Sequence, residues 1–519
     1  MRKDLHTVTL DSEKCRGCIS CMKRCPTEAI RVRNGKAKVL YDRCIGCGEC
    51  VRICPHQAKL PAYDPFDIIK GYKYKIALPA PSLYGQFNNM NDVNIILNGL
   101  IELGFDEVFE VAKGAELVSE ATRVALSTGK IKKPIISSAC PAIVQLVTVR
   151  FHNLVEHLVP FIAPVNVAAR MARENAIKKG IPAEDIGVFF ISPCPAKVFA
   201  LKTGLGLEKP DVDGVLAISE IYFKLLNVMP KLTEIKPLRT TGALGMSWAS
   251  SGGEAVGSNK EKYLAADGIE NCIEVLKKIE DGDLYYTDFV ELNACVSGCV
   301  GGVLNIENPF VARARIRGLR RASEAQCNSL NDEKITDVEG FFSWKKIPEV
   351  KDVDKLSENR LLALEKMEAI EALFAKLPHI DCGSCGAPSC RAFAIDVVNG
   401  EASIDSCPRI NKGKMTIKNI IEKLNAKIYH IEDENREVVS GYCGDFLSFV
   451  MGKAPADSVW FTVMANLNVC AVAVLCDVSV VVICEGVTPD DALVAKAKAQ
   501  GVNLIGTDLT VYDAVVATK

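Results

Sequence analysis

Residues 15–26 read "CRGCISCMKRCP" and residues 44–55 read "CIGCGECVRICP". Each run is C-x2-C-x2-C-x3-C-P, and no other feature constrains the fold as tightly. The chain carries 22 cysteines in 519 residues, so disulfides and metal compete for them. Disulfide-dense domains are short and secreted, whereas the opening "MRKDLHTVTL" lacks the apolar core of a secretory signal. That points to a cytoplasmic protein with reduced thiols. The six histidines argue against zinc or copper sites built on imidazole, and iron–sulfur clusters are the natural use of so many thiolates. In this spacing three thiolates of one tight loop wrap a 4Fe–4S cube, and the fourth, ahead of proline, reaches the other cube. Cys15, Cys18, Cys21 and Cys54 form one set, and Cys44, Cys47, Cys50 and Cys25 the other. A zinc ribbon is the alternative, but two full copies with both prolines favour iron. The two runs form an internal repeat.

Near the other end, "CGSCGAPSC" is followed by Cys407. Cys382, Cys385, Cys390 and Cys407 give C-x2-C-x4-C-x16-C, which resembles the single 4Fe–4S module attached to several anaerobic redox proteins. Structural zinc is the alternative. A net charge of −2 offers no basic field for nucleic acid. The most apolar stretch, "VCAVAVLCDVSVVVIC", is broken by Asp477 and suits buried strands better than a membrane span.

Between these modules, "YKIALPAPS", "KKPIISSACP" and "DIGVFFISPCPAK" read as buried strands ending in loops. "DVNIILNGLIELGF" and "NVAARMARENAIKKG" read as amphipathic helices. This is an α/β core, whose function sits on loops at strand ends. Cys140 and Cys194 lie on two such loops, and "ELNACVSGCVGG" carries Cys295 and Cys299. Taken alone Cys140 is a small buried thiol; four such thiols on loops of one domain suggest a further 4Fe–4S site.

The segments "SSACP", "SPCPAKVFA" and "ELNACVSGCVGG" resemble, in order and internal spacing, the three active-site signatures of FeFe-hydrogenases. The resemblance covers residues 1–340. It implies that Cys140, Cys194, Cys295 and Cys299 hold the 4Fe–4S half of an H-cluster. Cys299 would bridge to a diiron half bearing CO, cyanide and dithiolate ligands. Lys197 would donate to a cyanide, and Pro81 and Ser82 would line the cyanide pocket. The bland reading of Lys197 is a solvated surface lysine. Gly252 and Gly253 either let backbone approach the cofactor or make a turn. The partners implied are H2 and protons, a ferredoxin-like or signalling protein, and dedicated maturation proteins, with no nucleic acid and no membrane.

The chain also departs from the signatures. Ala139 stands where the family has its proton-transfer cysteine, and Ala200 where its relay glutamate falls. Ser192 and Asn293 replace two methionines. The metal ligands remain while the usual proton route does not. A methyl group cannot carry a proton, and losing one positioned acid or base costs about 10²–10⁴ in rate. Glu254 and Glu291 are candidate substitutes, or else structural carboxylates. The pattern is similar to the sensory branch of the family. Two alternatives stand beside it: a catalytic, ferredoxin-linked hydrogenase with a non-standard proton route, and a hydrogenase-like iron–sulfur protein without a diiron centre.

The predicted fold is multidomain α/β. A two-cluster ferredoxin domain (1–68) precedes an H-cluster domain (69–345), then a helix with a 4Fe–4S module (346–410). A connecting helix (411–440) leads to a small α/β domain (441–519). In the connector Ile417, Ile421, Leu424, Ile428 and Ile431 follow 4-3-4-3 spacing, a coiled-coil seam over two heptads that permits a homodimer or packing within the chain. The last domain resembles the DRTGG type through "ICEGVTPDD" and "IGTDLTVYDAV". Its strands are expected near "VCAVAVL", "VSVVVICEG" and "VNLIGTD", and a helix capped by Thr488 at "TPDDALVAKAKAQG". Cys443, Cys470, Cys476 and Cys484, two of them placed in buried strands, read as packing residues, with Cys272 and Cys327 unassigned.

Overall fold

The computed structural model describes residues 7–258, 261–321, 327–410 and 415–518. The chain divides into two compact units: residues 1–371 with 380–395, and residues 372–379 with 396–519.

In the first unit, the ferredoxin-type region pairs its outer strands Val8–Leu10 and Lys59–Pro61 antiparallel, and Ile30–Arg33 with Lys36–Val39. A small core of Met22, Ile30, Ala37 and Ala58 lies among the cysteines. Such a region buries little apolar surface, so bound clusters must supply much of its stability.

The central region holds two parallel sheets. One orders Glu107–Val108, Tyr74–Pro79, Ile186–Ser192 and Gly214–Ala217; the other orders Tyr263–Asp267, Phe289–Asn293 and Ile135–Ile136. All seven residues of Ile186–Ser192 are buried, as a strand covered on both faces requires. The helices expected from periodicity form at Val93–Glu102 and Pro164–Lys178. Because the strands are parallel, Pro79, Ile136, Ser192 and Asn293 all end toward the loops that carry the motif residues. Ligands bind at that end of a parallel sheet.

The second unit contains a five-stranded sheet ordered Lys427–His430, Leu504–Gly506, Val480–Ile483, Ser458–Thr462 and Ser440–Cys443. Only the first pair is antiparallel. This corrects the expected connector. Its helix runs only from Ile417 to Leu424, stopped by Asn425 in the left-handed region (φ 45°). Ile428 then lies on an exposed strand of the sheet, so no two-heptad seam exists. Ile417, Ile420 and Leu424 instead pack within the unit, in one cluster with Ala514. Residues 411–414 lie outside the described residues.

Two further expectations fail. "VCAVAVL" is not a strand but part of the helix Asn468–Leu475. A uniformly apolar run has no period to tell a buried strand from a buried helix, and here it is the crossover between parallel strands Ser458–Thr462 and Val480–Ile483. Cys470 is therefore on a helix, and Cys484 just follows a strand. The cap of helix Asp491–Ala499 is Asp490, which accepts from Leu493 N–H at 2.7 Å, and not Thr488. Among the described residues no helix is long and apolar enough to cross a membrane.

Candidate metal centre

The eight N-terminal cysteines ring two small cavities. Cys15, Cys18, Cys21 and Cys54 line one, and Cys25, Cys44, Cys47 and Cys50 the other. These are the two sets that the spacing divides. A zinc ion would draw four sulfurs to about 2.3 Å from one centre. Thiols spread around a cavity suit a cube of iron and sulfide instead. Gly17 and Gly46 take φ of 67° and 68°, a conformation that glycine adopts without steric cost.

The second of these sets sits against the central region. Cys47 packs in the same cluster as Cys140 and Cys194, and Arg52 donates to the Gly301 carbonyl at 2.6 Å. On the other side, the 381–390 loop docks on the ferredoxin region. Lys23 Nζ donates to the Asp381 and Pro388 carbonyls, Arg33 to the Cys385 carbonyl at 3.1 Å, and Val32 N–H to the Gly386 carbonyl at 2.9 Å. Cys382, Cys385 and Cys390 are in this first unit; Cys407, also buried, is in the second.

In the central region the motif loops converge. Cys140 and Cys194 each occupy the N-cap position of a helix with proline next, Pro141–Arg150 and Pro195–Thr203. Proline suits the first helical position because its missing N–H has no partner to lose. The helix N-termini favour negative charge on both sulfurs. The third loop needs its glycines. Gly298 has φ 86° and ψ −153°, and a Cβ on Gly302 would collide with the Pro193 carbonyl, beside Cys194. Cys140, Cys194, Cys295 and Cys299 thereby come close enough to interact electrostatically with one another and with Lys197. Burial pushes the thiol of Cys194 up to about 12 and raises those of Cys295 and Cys299. Metal must displace those protons on binding. Burial opposes the charge of Lys197, but the Cys299, Cys194, Cys140 and Cys295 sulfurs outweigh it and raise its pKa.

Beside this quartet lies a cavity lined by Pro81, Ser82, Ala139, Lys197, Glu254, Glu291 and Cys299, with an apolar wall including Phe190 and Trp248. Lys197 is thus half-buried against this cavity, not a solvated surface lysine. Its Nζ donates to the Ala139 carbonyl at 3.3 Å. Ser82 is fully buried, and its Oγ has no hydrogen-bond partner among the described residues. A half-buried ammonium and an orphaned hydroxyl facing one cavity beside Cys299 fit a ligand rich in hydrogen-bond acceptors. A second, small cavity runs from Lys197 to Ala200, lined by Ser138, Asn166 and otherwise apolar residues, with no carboxylate.

The acids lie elsewhere. Glu254 and Glu291 are buried, at 5% and 4% exposure. Ser137 Oγ donates to Glu254 Oε2 at 2.6 Å and accepts from Ala139 N–H at 3.1 Å. Glu291 accepts from Gly252 N–H (3.0 Å), Ala255 N–H (2.8 Å) and Asn293 Nδ2 (2.7 Å). These donors stabilise the ionised form of Glu291 although burial raises its pKa. Burial, and then the Glu291 charge, raise Glu254 to about 8.

Three family models match. Residues 73–258 and 231–303 match "Iron only hydrogenase large subunit, C-terminal domain", residues 7–55 a 4Fe–4S dicluster domain, and residues 377–409 a putative Fe–S cluster domain. The chain is thus similar to iron-only hydrogenases over residues 73–303, with iron–sulfur domain matches on either side. The chain is 24% identical over 257 residues to the NADP-reducing hydrogenase subunit HndD of Solidesulfovibrio fructosivorans, covering 39% of this chain and 44% of that one. It is 46% identical over 39 residues to the corrinoid/iron–sulfur protein large subunit of Moorella thermoacetica, 8% of this chain and 9% of that one. It therefore spans less than half the length of these curated relatives. Among solved structures, a variant of FeFe-hydrogenase HydA1 from Chlamydomonas reinhardtii gives a TM-score of 0.41 at 18% identity, over 54% of this chain and 91% of that one.

The central region holds contacts that the linear sequence does not reveal. Ser137, within "SSACP", meets Glu254, 117 residues away. Asn293, at a position where the signatures carry methionine, anchors Glu291. The other replacement, Ser192, braces its own loop: its Oγ donates to the Cys194 carbonyl at 3.0 Å. Gly252 both donates to Glu291 and turns the chain, with φ 85°.

Proposed function

We propose that this chain is a sensory FeFe-hydrogenase of low turnover, which relays the redox state of its clusters to the C-terminal, DRTGG-like unit. The observation that carries the reading is the cavity beside Cys299. It joins a cluster-type thiol quartet, a half-buried Lys197 and an orphaned Ser82 hydroxyl to a methyl group, Ala139, at the family's relay position. The residues fit a diiron group there: Cys299 would hold it, and Lys197 and Ser82 would donate to its cyanide ligands. Such a group would supply the chemistry of H2 binding and cleavage.

The chain's own residues determine how protons leave. On the Ala200 side no carboxylate lines the cavity. On the other side Glu254, bridged to Ser137 and next to Glu291, provides a buried acid near the cavity. This favours slow turnover by a substitute route over complete inactivity. The second ferredoxin set, whose Cys47 packs in one cluster with Cys140 and Cys194, would exchange electrons with the central site, and the first set lies beyond it. A partner protein would exchange electrons with the first set.

H2 turnover of matured protein tests the reading. The wild type should run far below fast bidirectional enzymes, and Ala139→Cys should raise the rate. A wild-type rate already matching those enzymes refutes the sensory assignment.

A further inference from the structure

Arginines crowd one helix of the central region, Pro309–Arg321, and they divide into two groups. Arg315 is taken, pairing with Glu307 at 2.8 Å. Arg313, Arg317 and Arg320 form no ion pair among the described residues, and the buried Nε–H groups of Arg313 and Arg320 have no hydrogen-bond partner there. All three line a cavity of about 530 Å³ together with Tyr263 and a single acid, Asp267. The buried Ser250 Oγ, also without a partner, lies in the same wall.

Buried donors without acceptors are costly, and three cations facing one acid leave the cavity positive. From residue 313 to 320 a helix rises about 10 Å, more than one phosphate spans. We propose that this cavity binds a nucleoside di- or triphosphate. The three guanidinium groups and Ser250 take the phosphates, the Tyr263 ring and Ile316 offer a flat apolar surface to the base, and Asp267 accepts from the ribose hydroxyls. The wall of the cavity is also the wall of the metal centre. Gly252 lines it and donates to Glu291, and Ala249, three residues earlier, accepts from Val300 N–H beside Cys299. The site stands independently of whether the diiron group is present.

The test uses the full chain with its 4Fe–4S clusters and the fluorescent probe mant-ATP. Saturable binding is expected, displaced by ATP and ADP and about tenfold or more less well by AMP, pyrophosphate or orthophosphate. Arg313→Ala and the exposed Arg317→Glu should each weaken it about 10- to 100-fold with cluster absorbance unchanged. Absence of saturable binding, or binding indifferent to both substitutions, overturns the proposal. So does pyrophosphate competing as well as ATP, or the surface binding only an acidic protein.

A second inference rests on the N-terminal repeat. Its halves share local geometry at "CPTEAI" and "CPHQAK": Glu28 and Gln57 both have positive φ, and Ala29 and Ala58 N–H both reach the preceding cysteine sulfur at 3.2 Å. The position after each alanine differs in charge, Ile30 in one half and Lys59 in the other. Each lines one thiol cavity, Ile30 that of Cys44 and Lys59 that of Cys15. Lys59 is 2% exposed and its Nζ has no hydrogen-bond partner among the described residues. A positive charge at a cluster favours its reduced, more negative form. We infer that Lys59 raises the reduction potential of the Cys15, Cys18, Cys21 and Cys54 cluster above that of its twin, making it the resting site for electrons. In spectroelectrochemical titration, Lys59→Met should lower one N-terminal potential and Lys59→Arg should hold it. Ile30→Lys should raise the other. Unmoved potentials in both Lys59→Met and Ile30→Lys overturn the inference.

Discussion

Replacing Glu254 by Gln tests the substitute proton route at its most exposed point. Gln is nearly isosteric, and its amide oxygen can still accept the 2.6 Å bond from Ser137, so the cavity wall and the Ala139 backbone keep their geometry. What is lost is the proton. A positioned acid or base contributes about 10²–10⁴ in rate, and no other carboxylate than Glu291 lines the cavity beside Cys299. H2 formation by matured Glu254→Gln should therefore fall by about 10²–10⁴. Cluster absorbance and the infrared bands of the diiron group should be unchanged. The pH profile gives a second readout. Burial and then the Glu291 charge raise Glu254, so it is protonated below its shifted pKa and ionised above. H2 formation in the wild type should decline as pH rises through that value, and the Gln variant should lack this step. A variant within about twofold of wild type, keeping the same pH step, would refute the route.

Other substitutions probe the frame. Gly302→Ala places a methyl group against the Pro193 carbonyl. It should cost about 1–3 kcal/mol and lower the iron bound at the central quartet while the ferredoxin-type clusters stay intact, as iron analysis with electron paramagnetic resonance would report. Lys197→Ala should leave all 4Fe–4S absorbance in place but reduce the diiron group retained after maturation, because the cavity loses its one cation. Ala139→Cys adds a thiol to the same wall. Its gain should be partial, since Ala200 still leaves that direction without a carboxylate, and adding Ala200→Glu should increase it.

How much of this was legible in the sequence depended on distance along the chain. The eight ferredoxin cysteines could be sorted into two sets because a fixed local spacing dictates which loop wraps which cube. The α/β core was readable from "DIGVFFIS", where burial on both faces leaves only apolar residues. The connector misled because its apolar spacing continues past Leu424, while one residue, Asn425 with φ 45°, ends the helix. "VCAVAVL" misled for the opposite reason: with no polar face, it has no periodicity to read. At the site, Ala139 and Ala200 showed what was missing. The acids that line the cavity instead could be named but not placed. The Ser137–Glu254 pair joins residues 117 apart, and the unpaired arginines show themselves only once the fold leaves them without acceptors.

The infrared spectrum of the chain after maturation bears most directly on the central claim, that the loops of Cys140, Cys194, Cys295 and Cys299 build one cluster beside a cavity made for a diiron group. Stretching bands of bound CO and cyanide, perturbed in Lys197→Ala and lost in Cys299→Ala, are the predicted result. A fully loaded 4Fe–4S protein that shows no such bands under the same maturation would contradict the account and leave an iron–sulfur protein without a diiron centre.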